Sequence, residues 1–412
     1  MNRLLKAGVA VATAFSMSVA LAACGGDEPG TADASRLKVW IMGDDGSKFE
    51  ELVEDFTKSS KIEVEVDAVP WDSVNEKLTT AVASGNGPDV MQLGLSLLPN
   101  AIEAGALADL SSLRQAHPNL ADDRFLDAAA TDKLNPAGKV LSVPWISDTR
   151  VLFYRTDILT KEGLNAAPAT WDQLREYATK LAARGKGNYG YYIPQWDAPL
   201  PVQFTWQAGG DIVDASGRIN LDTPEFRRAA DYYLSFYADK LVPTASDFDQ
   251  TQGFVSGTTP MLISGPYLAK EITEQAPDLA GKWAVAPVPS DRTGTALYAG
   301  SNLGVFSKSP NVAEAVRLLD YLAEPKTQLK WYESSGGLPA VKAALDDPSL
   351  AGDPNVKVYA QQLTNAKLLP LTSAWDPTSK KLLSALNEIA LKGADRTATL
   401  AKLNQDVAAL QK

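Results

Sequence analysis

The sequence predicts an α/β fold that opens on parallel strands. Apolar and polar residues alternate over residues 37–41 and again over 62–66, which is typical of strands. Between them, residues 49–56 carry apolar side chains at the spacing of one helix face. Two strands joined by a helix form a βαβ unit, and the strands of such a unit are parallel.

A second crossover follows the first. Residues 74–82 predict a helix, a glycine-rich turn stops it, and residues 89–93 predict a third strand. In parallel sheets, ligands collect at the carboxyl ends of the strands. The loops at 43–46, 69–72 and 92–96 are therefore the first places to seek a binding site.

The rest of the chain mixes strands and helices before a mostly helical C-terminal third. Residues 140–154 predict a strand broken at Pro144 and then a strand at 151–154. Thr170 with Gln173 predicts a capped helix over 170–183. The other predicted elements are a strand at 261–263 and helices at 224–237, 313–322, 379–391 and 397–410.

Composition indicates a folded protein with a small neutral or polar ligand. Hydrophobic residues make up 45% of the chain and charged residues 22%. Its length exceeds what one hydrophobic core usually serves, so two domains or lobes are expected. The formal net charge of −11 argues against nucleic acid and against a basic patch on anionic lipid.

One cysteine and one histidine narrow the possible chemistry. Apart from Cys24 no cysteine remains for a disulfide or a zinc site. His117 precedes Pro118 in a predicted loop and lacks the flanking motif of a serine–histidine relay. We expect no metal, no cofactor and no catalytic residue.

Residues 1–23 predict a secretory signal peptide. A basic start precedes an apolar stretch at 7–20, which is shorter than the roughly 20 apolar residues of a transmembrane helix. Residues 21–26 resemble the lipobox of bacterial lipoproteins, and this resemblance implies acylation of Cys24. The alternative is a small-residue cleavage site before an idle cysteine. Residues 24–36 are predicted to be the lipidated N-terminus and a flexible leash.

Short motifs follow one another in order along nearly the whole mature chain. They are Val39-Trp40-Ile41-Met42-Gly43-Asp44, Gly87-Pro88-Asp89-Val90, Val143-Pro144-Trp145, Tyr154-Arg155-Thr156-Asp157, Thr170-Trp171-Asp172, Met261-Leu262-Ile263-Ser264-Gly265-Pro266-Tyr267, Gly300-Ser301-Asn302-Leu303 and Ser373-Ala374-Trp375. In this order and at these intervals, they resemble the extracellular solute-binding proteins of ABC sugar importers. This is solute-binding protein family 1, which includes the maltose-binding protein.

The resemblance implies an α/β, two-lobe periplasmic-binding-protein-like fold with discontinuous lobes and a hinge. Lobe 1 would hold residues 37–146 and 301–344, and lobe 2 would hold residues 150–297 and 346–412. The lobes would close on a carbohydrate ligand without turning it over. The closed form would then be presented to the permease subunits of an ABC transporter.

The same resemblance implies a place and a set of partners. The protein would be a monomer, anchored through lipid on Cys24 to the outer face of the cytoplasmic membrane, with no nucleic acid partner. Its ligand would be a neutral mono- to oligosaccharide.

A carbohydrate site needs carboxylates and amides for the hydroxyls and aromatic rings for the apolar sugar faces. Asp148 lies six residues before Tyr154, where the family carries a sugar-binding acid; its alternative role is a structural partner for Arg150. Asp44 and Asp45 resemble the family's first-loop ligand contacts. A plain turn or an exposed helix N-terminus is the alternative for these two acids.

Gln92 and Ser96 leave the third strand where the family places polar contacts. The acid and arginine of the maltose-binding protein are absent at this edge, which indicates a substrate other than simply maltose. Trp71 follows Pro70 at a strand end and is expected either to contact ligand or to pack within its lobe.

Aromatic residues and one amide complete the candidate site. Tyr267 matches the stacking tryptophan that follows Gly-Pro in the family, and Trp375 looks like its late stacking tryptophan. Asn302 lies on the second crossing segment, where Gly300 would let ligand approach the backbone. Trp196 sits in a proline- and aromatic-rich loop and lines either the cleft or the core.

Two other functions compete with sugar binding. Paired carboxylates such as Asp44 and Asp148 could in principle cleave a glycosidic bond. Alternatively, the same fold could bind a non-sugar solute such as a polyamine, a metal ion or a peptide. The aromatic loops and Asn302 favour a neutral sugar over these solutes.

Overall fold

Two β-sheets, one large and one small, organise the fold. The computed structural model describes residues 35–71, 73–126, 138–195 and 198–411. The predicted signal peptide, Cys24 and Trp196 lie outside the described residues. Across the described ranges, no helix is long and apolar enough to span a bilayer.

Ten strands form the two sheets of the described chain. They are β1 (Arg36–Met42), β2 (Glu63–Val69), β3 (Val90–Gly94), β4 (Val143–Thr149), β5 (Val151–Tyr154), β6 (Met261–Ser264), β7 (Ala284–Ala286), β8 (Ala296–Val305), β9 (Leu338–Pro339) and β10 (Ala366–Lys367). The large sheet has the order β2-β1-β3-β8-β4-β9, with β10 paired to β8. The small sheet has the order β6-β5-β7.

Helices cover both sheets. In chain order they are α1 (Gly46–Ser60), α2 (Val74–Ser84), α3 (Leu98–Glu103), α4 (Ser111–Arg114), α5 (Thr156–Lys161), α6 (Trp171–Ala182), α7 (Pro199–Gln207), α8 (Pro224–Ala238), α9 (Gln250–Val255), α10 (Tyr267–Gln275), α11 (Val312–Leu322), α12 (Pro325–Ser335), α13 (Lys342–Leu345), α14 (Pro348–Ala351), α15 (Pro354–Leu363), α16 (Trp375–Lys392) and α17 (Arg396–Ala409). Short 3-10 turns lie at Pro118–Leu120, Asp122–Arg124 and Pro277–Leu279.

The two predicted crossovers at the start of the chain are confirmed. β1 pairs in parallel with β2 on one side and with β3 on the other. α1 buries Phe49, Leu52, Val53 and Phe56, the residues whose spacing predicts its buried face. The carboxyl ends of β1, β2 and β3 therefore meet at one edge of the large sheet.

The strand predicted at 151–154 is confirmed as β5, whereas the break expected at Pro144 is wrong. β4 runs through Pro144, where its pairing with β8 shifts register because proline offers no N–H to the ladder. After Arg150 the chain continues as β5, which pairs with β6 and β7 of the small sheet. Arg150 thus marks the passage from the large sheet to the small one.

The capped helix predicted after Thr170 is confirmed as α6. The Thr170 hydroxyl accepts a hydrogen bond from the Gln173 N–H at 3.2 Å. The Gln173 side chain reaches back and accepts from the N–H of Ala169 at 2.8 Å. Two N–H groups at the helix start are thereby satisfied, as in a capping box.

The hydrophobic core is divided into clusters, and the two largest indicate two lobes. On the large sheet, residues from the first part of the chain, such as Leu37, pack with residues of α11 and α12, such as Leu319 and Trp331. Beside the small sheet, residues such as Leu152 pack with α16 and α17. Each lobe is therefore assembled from stretches that are distant in sequence, and the chain has a two-lobe α/β fold with discontinuous lobes.

Gly300 has a structural role that differs from the expected one. Its φ of +132° is a conformation that glycine adopts readily, and a Cβ at this position would overlap the carbonyl oxygen of Ile146. The space beside Gly300 is thus filled by the neighbouring strand β4. Its small size lets the paired strands β4 and β8 approach closely, and this explains the glycine without a ligand.

We expect Gly300→Ala to lower the free energy of unfolding by more than the roughly 1–3 kcal/mol typical of overpacking, since the overlapping atom belongs to the backbone. Urea unfolding of both proteins measures the change. Gly294→Ala is the matched control, because a Cβ there would have its nearest neighbour at 3.7 Å. Equal urea midpoints for Gly300→Ala and the control would contradict this account.

Candidate functional site

Trp71 forms an exposed aromatic platform at the carboxyl edge of the large sheet. Its side chain is 51% exposed, the largest exposure among the large hydrophobic residues of the described chain. A Cβ on Gly43 would lie 3.0 Å from the indole Nε1, and a Cβ on Gly94 would lie 3.1 Å from the ring atom Cζ3. The ring therefore rests on the backbone at the ends of β1 and β3, and these two glycines leave the room for it.

Asp148 provides a carboxylate oxygen that has no protein partner among the described residues. Its Oδ2 accepts a hydrogen bond from Arg150 Nη1 at 3.0 Å, while its Oδ1 is buried and receives no hydrogen bond. Burial raises the pKa of the Asp148 carboxyl, and the Arg150 guanidinium lowers it in part. A buried acceptor without a donor is costly, so this oxygen is suited to receive a ligand hydroxyl.

Tyr267 stands beside this carboxylate at the start of α10. A Cβ on Gly265 would lie 2.9 Å from Tyr267 Cε1, 3.0 Å from Asp148 Oδ2 and 2.8 Å from Arg150 Nη1. These three side chains therefore surround Gly265, which follows the last residue of β6. β4 supplies Asp148, the passage between the sheets supplies Arg150, and the turn after β6 supplies Tyr267.

The Tyr267 hydroxyl is held by two donors. Its oxygen accepts from Ser264 Oγ at 3.1 Å and from Gln250 Nε2 at 3.3 Å. A phenol oxygen that already accepts two hydrogen bonds retains its own proton for donation. Asp148 thus offers an acceptor and Tyr267 offers a donor within the same small region.

Strand pairing relates the aromatic platform to the carboxylate. Ser301 of β8 lies opposite Gly94, and Ala299 of β8 lies opposite Asp148. Gly94, on which Trp71 rests, and Asp148 therefore lie on the two strands that flank β8. Along the strand direction they are offset by two residues, or roughly 7 Å.

Gln92 and Asn302 lie inside the large sheet. The side chain of Gln92 accepts from the Met42 N–H at 3.1 Å and donates to Ser301 Oγ at 2.8 Å, so its amide ties three strands together. Asn302 donates to Ser142 Oγ at 2.9 Å. Both residues are buried, and these hydrogen bonds hold the strands of the large sheet together near its carboxyl edge.

Trp375 lies in the core of the small-sheet lobe. It is 3% exposed and begins α16, where its N–H donates to the Thr372 carbonyl at 3.0 Å. A ring so buried presents no free face to a ligand in this arrangement. Trp375 is therefore not an exposed aromatic residue like Trp71, and the structure does not place it with Trp71 and Asp148.

The first-loop residues lie at the surface beside α1. Asp44 is exposed, and Asp45 forms an ion pair with Lys48 at 2.9 Å. Ser96 is half-buried and follows Leu95, whose N–H donates to the Gly300 carbonyl at 3.2 Å. These residues border the carboxyl edge of the large sheet that carries Trp71.

The structure adds residues that sequence reasoning had not placed in the site. Arg150 and Gly265 contact the same carboxylate region, and Ser264 and Gln250 hold the Tyr267 hydroxyl. Arg150 lies two residues from Asp148 in sequence. This spacing indicates an ion pair, but it does not indicate that Arg150 orients the carboxylate. Within the described ranges, no group of three or more histidine, cysteine, aspartate or glutamate residues is arranged to hold a metal ion.

Comparison with known proteins supports a binding function. The chain is 27% identical over 398 residues to the diacetylchitobiose binding protein DasA of Streptomyces coelicolor, a match that covers 91% of this chain and 90% of that relative. The structure resembles the sugar-binding protein MalE of Xanthomonas citri, with a TM-score of 0.79 and 26% identity, over 91% of this chain and 97% of that one.

A third comparison concerns the fold alone. An ABC transporter solute-binding protein of Thermotoga lettingae, solved with α-D-tagatose, has a TM-score of 0.85 at 23% identity, over 92% of this chain and all of that one.

The family description "bacterial extracellular solute-binding protein" matches residues 41–329, which is more than half of the chain. The family is one of extracellular solute-binding proteins, and an ABC transporter is named for the Thermotoga lettingae protein. This chain therefore belongs to the bacterial extracellular solute-binding proteins.

Proposed function

We propose that this protein is the substrate-binding lipoprotein of an ABC importer. It captures a neutral mono- to oligosaccharide between its two lobes and delivers the sugar to a membrane permease. The observation that carries the proposal is the exposed Trp71 ring at the carboxyl edge of the large sheet, together with the unpartnered oxygen of Asp148 on the neighbouring strand β4. The names of the relatives, a diacetylchitobiose binding protein and a sugar-binding MalE, support it.

The chemistry of these side chains fits a sugar. A pyranose or furanose has an apolar face of C–H groups that an indole ring can cover, and hydroxyls that both donate and accept hydrogen bonds. Asp148 Oδ1 can accept a hydrogen bond from one sugar hydroxyl, and the Tyr267 hydroxyl can donate a hydrogen bond to another sugar oxygen. Asp44, Asp45, Ser96 and Trp196 are further proposed contacts around the same cleft.

A polyamine fits the site less well. Ammonium groups donate hydrogen bonds and cannot accept them, so the proton of Tyr267 would have no acceptor on such a ligand. The charge of Asp148 is also already matched by Arg150 at 3.0 Å. A polyamine remains the alternative to be tested in the same experiment as the sugars.

Glycoside cleavage is the least favoured alternative. It requires a second carboxylate near the first, and Asp44 lies in the exposed loop after β1, in the large-sheet lobe. We propose binding without turnover. Release of monosaccharide from an oligosaccharide incubated with the purified protein would contradict this part of the proposal.

A thermal-shift screen tests the ligand class. We expect at least one neutral saccharide, among diacetylchitobiose, maltose, mannotriose and their monosaccharides, to raise the melting temperature. A ligand at 100 times its Kd stabilises the native state by about 2.7 kcal/mol, which such a screen detects. Spermidine and zinc chloride are the comparison ligands. A shift with spermidine and none with any saccharide would contradict the sugar assignment.

The lobes are proposed to close on the ligand, and closure is what the permease would detect. The proposed lobes comprise residues 37–146 with 301–344 and residues 150–297 with 346–412. Small-angle scattering with saturating sugar should show a smaller radius of gyration than the free protein. An unchanged radius at saturation would argue against hinge closure.

The proposed anchor is lipid on Cys24, which keeps a monomeric sugar trap near its transporter at the outer face of the cytoplasmic membrane. A tether raises the effective concentration at which two partners meet. Stable anchoring needs more than one acyl chain. The intact mass of the mature protein extracted from membranes checks both the cleavage before Cys24 and the number of chains.

A further inference from the structure

Asp148 could in principle rotate, since a carboxylate offers two equivalent oxygens. One of them is fixed, because Arg150 Nη1 donates to Oδ2 at 3.0 Å. The other, Oδ1, is buried and receives no hydrogen bond from the described residues. Asp148 and Arg150 are both largely shielded, with side chains 18% and 19% exposed. The guanidinium thus determines which oxygen is left for a ligand.

Gly265 occupies the point where this contact is made. A Cβ there would lie 2.8 Å from Arg150 Nη1, 3.0 Å from Asp148 Oδ2 and 2.9 Å from Tyr267 Cε1. Gly265 is not among the glycines with positive φ, so its backbone does not by itself require glycine. What the position requires is the absence of a side chain.

The location of Arg150 explains why these groups converge. The chain leaves the large sheet at Thr149 and enters the small sheet at Val151. Val151 pairs with Ser264, the residue just before Gly265. The ion pair at the end of β4 therefore lies against the turn after β6, where the chain passes from one sheet to the other.

We propose that Arg150 and Gly265 are positioning residues of the binding site. Arg150 holds Asp148 Oδ2 so that Oδ1 faces the ligand, and Gly265 keeps open the space in which this ion pair and the Tyr267 ring lie side by side. This inference rests on the proposed function, because it assigns the orientation of a group that binds the sugar. It gives Arg150 no contact with the ligand.

Binding measurements with a double-mutant cycle test Arg150. The probe is whichever saccharide raises the melting temperature of the wild-type protein most, and calorimetry gives its Kd. We expect Arg150→Met to weaken binding about 10-fold or more, the effect of losing one charge-assisted hydrogen bond. Arg150→Lys should recover part of the loss, since it restores the charge but not the planar geometry.

The cycle distinguishes positioning from direct contact. In the Asp148→Asn background, we expect Arg150→Met to add less than a twofold loss, because the oriented carboxylate is already gone. A full 10-fold loss in that background would mean that Arg150 binds the ligand itself, and would overturn the inference. Unchanged binding by Arg150→Met in the wild-type background would overturn it as well.

Gly265→Ala tests the steric part while Asp148 and Arg150 are both kept. We expect it to weaken binding about 10-fold while the circular dichroism spectrum stays native, since the clash falls on side-chain atoms. Gly294→Ala, whose Cβ would make only ordinary van der Waals contacts, should bind like the wild type. Equal affinities of Gly265→Ala and Gly294→Ala would overturn the role of Gly265.

Sugar binding by the wild-type protein and by the variants distinguishes the positioning roles from the proposed function. If the wild-type protein binds a saccharide but the Arg150 and Gly265 variants bind it equally well, sugar binding stands and the positioning roles fall. If the wild-type protein binds no saccharide in the panel, the proposed function is overturned and the inference falls with it.

Discussion

Replacing Asp148 by asparagine should weaken sugar binding by about 1.5–3 kcal/mol, or roughly 10- to 150-fold in Kd. The carboxylate oxygen Oδ1 is buried without a donor, and Oδ2 is held by Arg150. Asparagine keeps the size of the side chain but removes the charge that strengthens a hydrogen bond from a sugar hydroxyl. Isothermal titration calorimetry with the saccharide found by thermal shift measures the loss.

Asp157→Asn is the matched control for this experiment. Like Asp148, Asp157 pairs with an arginine two positions away: Arg155 donates to it from Nε at 2.9 Å and from Nη2 at 2.8 Å. Asp157 lies at the start of α5, away from the proposed site residues Tyr267 and Gly265 in sequence and element. This variant should lower the melting temperature and leave the sugar Kd unchanged. If the two variants lost equal affinity, Asp148 would have no special part in binding.

The pH dependence of binding supplies a second readout for Asp148. Burial raises the pKa of its carboxyl above the ordinary value, so the group takes up a proton at a higher pH than an exposed aspartate does. Only the ionised form gives the full charge-assisted acceptor. Affinity should therefore decline as the pH falls through this raised pKa, and the decline should be absent in Asp148→Asn. An identical pH profile in both proteins would assign the titration to another group.

Replacing Trp71 by alanine should weaken sugar binding by about 2 kcal/mol, or roughly 30-fold, since a tryptophan at the centre of a contact often carries this much energy. The ring is half exposed and rests on Gly43 and Gly94, so part of its surface is open to a ligand. The same substitution should change the free energy of unfolding by only about 0.5 kcal/mol, as at other surface positions.

Trp71→Phe separates stacking from shape. Phenylalanine keeps a ring over the two glycines but covers less of a sugar face, so its Kd should fall between those of the wild type and Trp71→Ala. Leu391→Ala removes another exposed apolar side chain, on α16, and should bind normally. If Trp71→Ala bound sugar as the wild type does, the platform would be a packing feature and the site would lie elsewhere.

Local pattern was sufficient to predict much of the first lobe. The alternation at 37–41 and the helical spacing of Phe49, Leu52 and Phe56 predict β1 and α1, because burial on one face imposes those periods on any sequence. The apolar run at 151–154 likewise predicts β5, but the course of β4 through Pro144 was not predictable in the same way. A proline looks like the natural end of a strand, yet β4 absorbs Pro144 through a shift in register with β8.

The candidate site divides along similar lines. Residue type and position drew attention to Asp148, Trp71 and Tyr267, all of which the structure places at the sheet edge or beside Gly265. The same reasoning could not distinguish Trp375, which is buried, from an exposed stacking residue. Exposure is decided by what packs on a side chain from distant parts of the chain, and neighbouring residues do not encode it.

By itself the sequence determined the α/β class, the order of the first strands and helices, and a family resemblance that names a compartment and a kind of ligand. Only the tertiary structure decided that the amides of Gln92 and Asn302 are used in hydrogen bonds within the sheet. It also decided that one oxygen of Asp148, beside Arg150 and Gly265, has no hydrogen-bond donor among the described residues. The physical reason is that hydrogen-bond partners are shared between strands far apart in sequence. Which atoms remain for a ligand is known only when every other contact has been made.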